Sequence, residues 1–180
     1  YQAYDDTSST LYDANTQFYV MTDDYNIYKC LYNNNSANST VKPTYVQANF
    51  SSTEADGYIW KYMYTLNTRD RQKFLTNEWI PVRTLTIDDA SQQYAVEQAA
   101  VDGAIDVILV TNGGSNYTNT SNVTVTISGD GSDATAVAYV NTISNTIANV
   151  VVTTRGTGYT TANVTVLAVE SIFTAITLRP

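Results

Sequence analysis

A stretch of alternating aromatic side chains between Asp56 and Leu66 constrains the fold of this chain more than any other feature. Five large side chains fall at every second position: Tyr58, Trp60, Tyr62, Tyr64 and Leu66. Successive side chains of a β-strand point to opposite faces, so this spacing places all five on one face. Aromatic residues favour a pleated, half-buried surface, and each ring buries a large area. We therefore predict a β-strand at 56–66 whose aromatic face is mostly buried.

The segments before this strand predict antiparallel neighbours for it. Phe18–Met21 and Ile27–Tyr32 are short apolar runs, and the Asp and Asn residues between them favour a turn. This pattern predicts a β-hairpin. An extended segment from Pro43 to Phe50 and a loop over 51–56 are predicted to lead into the aromatic strand.

Two short helices are predicted after the aromatic strand. Asn67–Leu75 has an amide side chain at its start that can cap the free N–H groups of a helix. Asp88–Ala100 is rich in good helix formers, begins with two acidic residues, and is followed by Gly103 as a stop signal. We interpret the second helix as the linker that ends a first domain at residue 102.

The remainder of the chain predicts a small antiparallel β-domain. Runs of branched residues alternate with short connections that contain Gly, Asn or Asp, which is typical of strands joined by tight turns. The predicted strands are 105–110, 123–127, 134–140, 147–154 and 164–169.

This second region contains an internal repeat. Thr111–Thr118 matches Thr153–Thr160, and the tyrosines Tyr117 and Tyr159 are 159 − 117 = 42 residues apart. Each copy reads as a strand, a glycine loop with a Tyr that plugs it, and a second strand that begins Asn-Val-Thr-Val. A structural role for the two tyrosines is favoured, and a place in the lining of a binding groove is the alternative.

Composition agrees with a β-rich fold. Charged residues make up 14% of the chain, about half the usual share, whereas tyrosine occurs 15 times. The predicted fold class is mainly β. An antiparallel β-sandwich-like domain with one or two short helices is expected at 1–102, and a small antiparallel β-repeat domain with two related Gly-loop-Tyr units is expected at 103–180.

Charge and residue content exclude several classes of function. The net charge is −8 with a pI of about 4.2, which argues against nucleic acid and anionic membranes as partners. No apolar run approaches the roughly 20 residues of a membrane span. The chain has no histidine, which excludes His-based triads and the usual zinc sites. Cys30 is the single cysteine, and its strand context favours a buried small hydrophobe.

Acidic motifs are the remaining candidates for chemistry. Carboxylate pairs occur at Asp5/Asp6, Asp23/Asp24 and Asp88/Asp89, and turn formation or helix capping explains them better than catalysis. The segment 129–133 has the composition of a calcium loop but lacks its spacing and its terminal Glu, so a tight hairpin turn is favoured. We predict no catalytic, cofactor-binding or metal-ligating residue, and no enzyme activity.

Three segments in the first hundred residues carry a resemblance to a known family. Ile27–Leu31 resembles a Val-Tyr-Arg/Lys-Cys-Leu strand, Asp56–Tyr64 resembles an Asp-Gly-Tyr-Val-Trp strand, and Thr76–Val82 resembles a Thr-Asn-Glu-Tyr-Ile-Val segment. All three, in this order, are similar to the baseplate wedge subunits of contractile-tailed bacteriophages. The glycine-rich repeat region, roughly 103–169, resembles a module common in phage virion proteins.

The resemblance implies a structural protein of the virion, located in the tail baseplate. Its expected partners are other baseplate or tail subunits and a second copy of itself, and it brings no catalytic residues. The match leaves open whether the chain is the wedge subunit itself or another tail protein that shares its domain. Because the chain begins at Tyr1 and not at Met, we expect it to be part of a longer protein.

Two other hypotheses remain open. A carbohydrate-binding or adhesin module of a tail fibre would use exposed aromatic rings, and Tyr117, Tyr159 and Trp79 are the residues to test. A hydrolase would need two carboxylates that the fold brings to within about 5–10 Å of one another in a cleft.

Overall fold

Two compact β-rich units make up the chain. The computed structural model describes residues 1–5, 8–10, 13, 15–48, 51–117, 123–168, 171–174 and 177–179. The first unit is Tyr1–Ala100 and the second is Val101–Pro180. Each unit contains one antiparallel sheet, and the helices of the described part are short. The mainly β fold class that the sequence predicts is thus confirmed.

Four strands form the sheet of the first unit: β1 (Tyr19–Met21), β2 (Asn26–Asn33), β3 (Ser51–Thr53) and β4 (Tyr58–Thr65). Their order across the sheet is β1-β2-β4-β3, and neighbouring strands are antiparallel. The predicted hairpin is formed by β1 and β2, and β4 is the predicted aromatic strand. The two central strands therefore come from the two most apolar runs of this unit.

One prediction for this sheet is wrong. The loop predicted over 51–56 contains the edge strand β3, in which Ser51 pairs with Lys61 and Thr53 pairs with Ile59. Its polar side chains carry no apolar alternation, but ladder hydrogen bonds join backbone groups and do not require it. Phe50, where the preceding extended segment is predicted to end, lies outside the described residues.

The aromatic face of β4 forms the core of the first unit. Tyr58, Trp60 and Tyr62 are buried, and Tyr64 is half-buried. The rings of Tyr58 and Trp60 are stacked, with centroids 5.4 Å apart. Cys30 from β2 is buried in the same cluster and acts as a small hydrophobe there. The prediction that this face is mostly buried is confirmed.

The first of two helices begins where the sequence predicts it. Helix α1 (Thr68–Phe74) follows the cap residue Asn67, whose side-chain oxygen accepts a hydrogen bond of 2.9 Å from the Asp70 N–H. This bond satisfies a backbone donor that has no partner inside the helix.

The second helix starts later than the sequence predicts. Helix α2 (Gln92–Gln98) is capped by Ser91, and the predicted start at Asp88 is wrong. The Asp88 and Asp89 carboxylates accept hydrogen bonds from the N–H groups two residues further on, at 2.8 Å and 3.0 Å. Ala90 lies between these turns with a φ of +57°, which a right-handed helix does not allow. These side-chain hydrogen bonds therefore form local turns where the first turn of the helix was predicted.

Seven strands form the sheet of the second unit: β5 (Val107–Leu109), β6 (Val123–Gly129), β7 (Ser132–Asn141), β8 (Thr146–Thr157), β9 (Ala162–Ala168), β10 (Ser171–Thr174) and β11 (Thr177–Arg179). Their order is β10-β9-β6-β7-β8-β5-β11. The first five correspond to the predicted strands, although Val169, where the last was predicted to end, lies outside the described residues. The sequence did not predict β10 and β11.

The two repeats of this unit are joined by reciprocal hydrogen bonds. The Tyr117 N–H donates to the Asn145 carbonyl at 3.0 Å, and the Tyr159 N–H donates to the Gly103 carbonyl at 3.1 Å. The two acceptors are 145 − 103 = 42 residues apart, as are the two donors. Each repeat therefore donates a backbone hydrogen bond to the equivalent carbonyl of the other repeat.

The strands of the two repeats pair in the same reciprocal manner. Strand β5 meets its counterpart β8 at Ile108 and Val150, and β6 meets its counterpart β9 at Val125 and Val166. Each pair consists of equivalent positions of the two copies. The sequence repeat is thus a pseudo-twofold arrangement inside one sheet.

Candidate functional site

The two repeat tyrosines lie in the core of the second unit. Tyr117 is 3% exposed and Tyr159 is 8% exposed, and both belong to one apolar cluster. A Cβ atom added to Gly131 would lie 2.4 Å from the Tyr159 ring, so the ring lies directly on that glycine. Neither ring is available to stack on a ligand at the surface, and the structural role favoured from the sequence agrees with this burial.

Carboxylates of the acidic motifs bind backbone N–H groups and a neighbouring cation. Asp23 and Asp24 both contact the Lys42 ammonium, at 2.7 Å and 2.9 Å, on the exposed surface. The hydrogen bond with Lys42 holds the pKa of Asp23 below its ordinary value. Asp6 lies outside the described residues. Within the described ranges, no group of three Asp, Glu or Cys side chains is placed to hold a metal ion.

The Asp130 carboxylate, in the segment 129–133 that has the composition of a calcium loop, accepts hydrogen bonds from other groups of the protein. It accepts hydrogen bonds from the Thr160 hydroxyl and from the N–H groups of Thr160 and Thr161, at 3.1 Å and 2.9 Å for the latter two. These bonds, the Thr160 hydroxyl first, lower the pKa of Asp130 to about 2. The carboxylate therefore fastens one loop of the sheet to another.

A groove beside α1 is a concave feature of the first unit. We call it the α1 groove. Its volume is about 400 Å³, within the range of ligand-binding clefts. The residues that line it include Tyr64, Asp70, Phe74, Trp79, Val82 and Arg83. Three of them are strongly exposed, with Phe74 at 58%, Trp79 at 72% and Val82 at 74%.

One wall of the α1 groove is a segment without regular secondary structure that side chains hold in place. The Tyr64 hydroxyl donates to the Pro81 carbonyl at 3.1 Å. The hydroxyl is protonated at neutral pH, and burial raises the pKa of Tyr64 to about 12, so it remains a donor in mildly alkaline solution as well. The wall is thus tied to the central strand β4.

Helix α2 fixes the same wall from the other side. The Gln93 amide donates to the Arg83 carbonyl and to the Glu97 carboxylate, which in turn accepts from the Leu85 N–H at 2.9 Å. Gln93 is buried although it is polar, and these bonds satisfy it. Three backbone groups of the wall are therefore held by side chains from β4 and α2.

The segment that includes α1 and the wall of the groove is rich in cations, in a chain that is acidic as a whole. Residues 69–83 contain four cations (Arg69, Arg71, Lys73, Arg83) and two anions, a net charge of +2, so the rest of the chain carries −10. Arg71 lies over the Tyr25 ring at 4.2 Å, and Arg83 lies 3.7 Å from Asp70. Arg69 and Lys73 form no ion pair within the described ranges.

Sequence reasoning identified Trp79 as a candidate but did not predict the groove. Its wall depends on Gln93 and Glu97, which are ten or more residues away from the groups they bind. The one signal in the sequence was the concentration of four of the nine cations within 69–83.

Comparisons with known proteins add no relative. Neither a protein-family model, nor a curated protein sequence, nor a solved structure matches the chain. Among the described residues, no helix has both the length and the apolar character needed to cross a membrane.

Proposed function

We propose that this chain is a structural subunit of a phage tail baseplate wedge that acts by binding neighbouring subunits, without a catalytic step. One observation carries the proposal. Five large apolar side chains between residues 74 and 87 each have more than a third of their surface exposed: Phe74, Trp79, Ile80, Val82 and Ile87. Exposed apolar surface of this kind is typical of protein interfaces, where aromatic residues supply much of the binding energy.

The positions of the three family-like segments support the same proposal. Ile27–Leu31 lies in β2 and Asp56–Tyr64 includes most of β4, and these strands are paired through Cys30 and Trp60. The third segment, Thr76–Val82, is attached to β4 by the bond from Tyr64 to the Pro81 carbonyl. The three segments, which are separate in the sequence, are therefore connected through β4 in the fold. This is expected if the resemblance reflects a shared folded unit.

The protein composition of the virion tests the proposed location of the chain in the phage tail. Mass spectrometry of purified particles of the phage whose genome encodes the chain should find it in a fixed ratio to the other tail proteins. Its absence from purified particles would refute the proposal.

Self-association tests the proposed mode of action. Sedimentation of the isolated chain should show dimers or larger species at micromolar concentration, and Val82→Ser/Ile87→Ser should shift the population toward monomer because it removes exposed apolar area. The control, Ile143→Ser, removes a 95% exposed side chain in the second unit and should leave the distribution unchanged. A wild-type chain that stays monomeric would count against assembly through this surface.

A carbohydrate-binding module is the second candidate, and the exposure of Trp79 beside a groove is the observation that favours it. Aromatic rings in shallow grooves can stack on sugars. Binding to a glycan array that is lost in Trp79→Ala would support this candidate, and the absence of binding by the wild type would exclude it. Tyr117 and Tyr159 do not contribute to it, because both are buried.

A further inference from the structure

An Asn-Gly pair at residues 112–113 lies in the loop that follows β5. Asn112 is the one asparagine of the chain that precedes a glycine, and its side chain is exposed. The second repeat has Thr and Arg at the equivalent positions 154–155, where 154 − 112 = 42. Both loops continue with a glycine of positive φ, Gly114 at +63° and Gly156 at +66°. The pair is therefore a chemical difference between two related loops.

The backbone nitrogen of Gly113 is placed to react with the side chain that precedes it. Within the described residues, the Gly113 N–H donates no hydrogen bond, although the Gly113 carbonyl accepts one from Ile147. Glycine also has no Cβ that would crowd an attack by its nitrogen. Attack on the Cγ of Asn112 closes a five-membered ring, and such intramolecular reactions are strongly favoured over their bimolecular equivalents.

The side-chain carbonyl of Asn112 is already polarised by a backbone donor. The Gly114 N–H donates a hydrogen bond of 2.9 Å to Asn112 Oδ1. Attack at Cγ moves negative charge onto this oxygen, and a backbone N–H aimed at developing charge stabilises the transition state. In the part of the chain that the structure describes, Asn112 Nδ2 has no hydrogen-bond partner, so this nitrogen can leave into water.

We propose that Asn112 is a self-modification site, at which the Gly113 nitrogen displaces the side-chain nitrogen of Asn112 as ammonia. The bond from the Gly113 nitrogen to Cγ forms and the bond from Cγ to Nδ2 breaks. The proton of the Gly113 nitrogen leaves with the ammonia, and a cyclic imide remains. Water then opens the imide at either carbonyl and produces aspartate or isoaspartate. This chemistry is independent of the proposed assembly function.

Isoaspartate at position 112 would break a hydrogen bond between the two repeats. Its backbone runs through Cβ and Cγ, so the chain before Gly113 becomes one carbon longer. The Ile147 N–H donates to the Gly113 carbonyl at 2.8 Å, and a Cβ added to Gly113 would lie 2.4 Å from the Ile147 carbonyl oxygen. These two backbone segments are too close to absorb a displacement of Gly113. The modification should therefore release the Ile147 N–H.

Peptide mapping by mass spectrometry tests the reaction on the folded full chain, incubated in mildly alkaline buffer. Asn112 should convert to aspartate and isoaspartate at least about tenfold faster than Asn35. Asn35 is a matched internal control, because it is also exposed but is followed by Ser36, whose N–H already donates to Asn33 Oδ1. The rate at Asn112 should rise with pH, because the Gly113 nitrogen attacks after losing its proton.

The same measurement in urea tests the contribution of the fold. Unfolding makes every asparagine flexible but removes the hydrogen bond from Gly114 to Asn112. Because the folded loop already exposes the reacting groups, its rate at Asn112 should lie within about a factor of ten of the rate in the unfolded chain.

Variants at Asn112 separate the modification from its effect on the repeats. Asn112→Thr introduces the residue of the second repeat, which cannot form an imide but can still bond a backbone N–H two residues on. In incubated wild type, amide hydrogen exchange of Ile147 should be faster in the isoaspartate fraction, whereas incubated Asn112→Thr should keep its protection. Freshly purified Asn112→Asp carries the new charge without the extra carbon and should also keep it.

Three outcomes would overturn the inference. The first is an Asn112 that stays intact for as long as Asn35. The second is a folded chain that converts Asn112 more than about tenfold more slowly than the unfolded chain. The third is an Ile147 N–H that keeps its full protection after isoaspartate has formed.

Discussion

Replacing Gly103 with Ala should strongly destabilise the second unit. Gly103 has a φ of +65°, and a Cβ added there would lie 2.3 Å from the Tyr159 nitrogen and 2.7 Å from the Gly158 carbonyl carbon. These are backbone atoms, and the Tyr159 and Gly158 N–H groups bond back to the carbonyls of Gly103 and Asp102. A methyl group cannot be accommodated by rotating a side chain and must displace this pairing.

The size of the effect follows from two contributions. A left-handed backbone costs a residue with a Cβ about 1–2 kcal/mol. Forcing a methyl group into a closely packed site costs about 1–3 kcal/mol more. We therefore expect Gly103→Ala to lower the free energy of unfolding of the second unit by about 2–5 kcal/mol.

The repeat provides a matched control for this substitution. Asn145 is the equivalent position in the second copy and also has a positive φ, of +52°, but it already carries a Cβ. Asn145→Ala therefore introduces no new contact and removes only the tolerance of Asn for this backbone. Its cost should be about 1 kcal/mol or less, so the excess cost of Gly103→Ala comes from the contact with Tyr159 and Gly158 together with the part of the left-handed backbone cost that Asn145 already bears in the wild type.

Thermal unfolding can report the two units separately. Both tryptophans, Trp60 and Trp79, lie in the first unit, so their fluorescence follows that unit, whereas far-UV circular dichroism follows both. For a unit of this size 1 kcal/mol corresponds to about 4–8 °C, so Gly103→Ala should lower the transition temperature of the second unit by about 10–40 °C. The reasoning would be refuted if the second unit of Gly103→Ala unfolded within about 3 °C of that of Asn145→Ala. It would also be refuted if Gly103→Ala shifted the transition seen by tryptophan fluorescence as much as the transition of the second unit.

Two further substitutions test local hydrogen bonds. Asn67→Ala removes the cap of α1 and should lower the stability of the first unit by about 1 kcal/mol in urea denaturation followed by tryptophan fluorescence, whereas an unchanged midpoint would contradict the capping role. Asp130 has a pKa of about 2 in the folded protein against 3.8 ordinarily, so its ionised form stabilises the fold above pH 4 and this stabilisation is lost as the pH falls toward 2. Asp130→Asn should be less stable than the wild type at pH 5, and its urea midpoint should fall less steeply between pH 4 and about 2.5; parallel pH profiles would contradict this assignment.

The elements that sequence reasoning predicted carry their signal locally. The aromatic strand 56–66 alternates with period two, and the repeat is visible because Tyr117 and Tyr159 share the same flanking pattern. Each signal needs only the residues of the element itself. The same holds for the cap at Asn67, which acts on a residue three positions away.

The elements that were missed depend on contacts that a local pattern does not contain. Strand β3 forms because its backbone meets β4, although its Ser and Thr side chains have no apolar face. Helix α2 starts at Gln92 because Asp88 and Asp89 bond to the backbone in turns, and an acidic pair looks the same in a turn as in a first helical turn. The wall of the α1 groove needs Gln93, whose bond to Arg83 is a tertiary contact.

The reciprocal pairing of the two repeats has a consequence for their stability. The Ile105 N–H donates to the Arg155 carbonyl, and the equivalent Ile147 N–H donates to the Gly113 carbonyl, both at 2.8 Å. Each bond has its donor in one half of the pseudo-twofold and its acceptor in the other, so neither half can open without breaking both. The two repeats should therefore unfold as one cooperative unit.

Amide hydrogen exchange measures this directly. The Ile105 and Ile147 N–H groups should be protected by the same free energy, within about 0.5 kcal/mol, because both exchange only when the whole unit unfolds. Tyr159→Ala, which removes a buried ring from the shared core, should lower both protections equally, by about 3–5 kcal/mol. If Ile105 exchanged much faster than Ile147, or if Tyr159→Ala affected one and spared the other, the repeats would be separate stability units, and their reciprocal hydrogen bonds would not couple them.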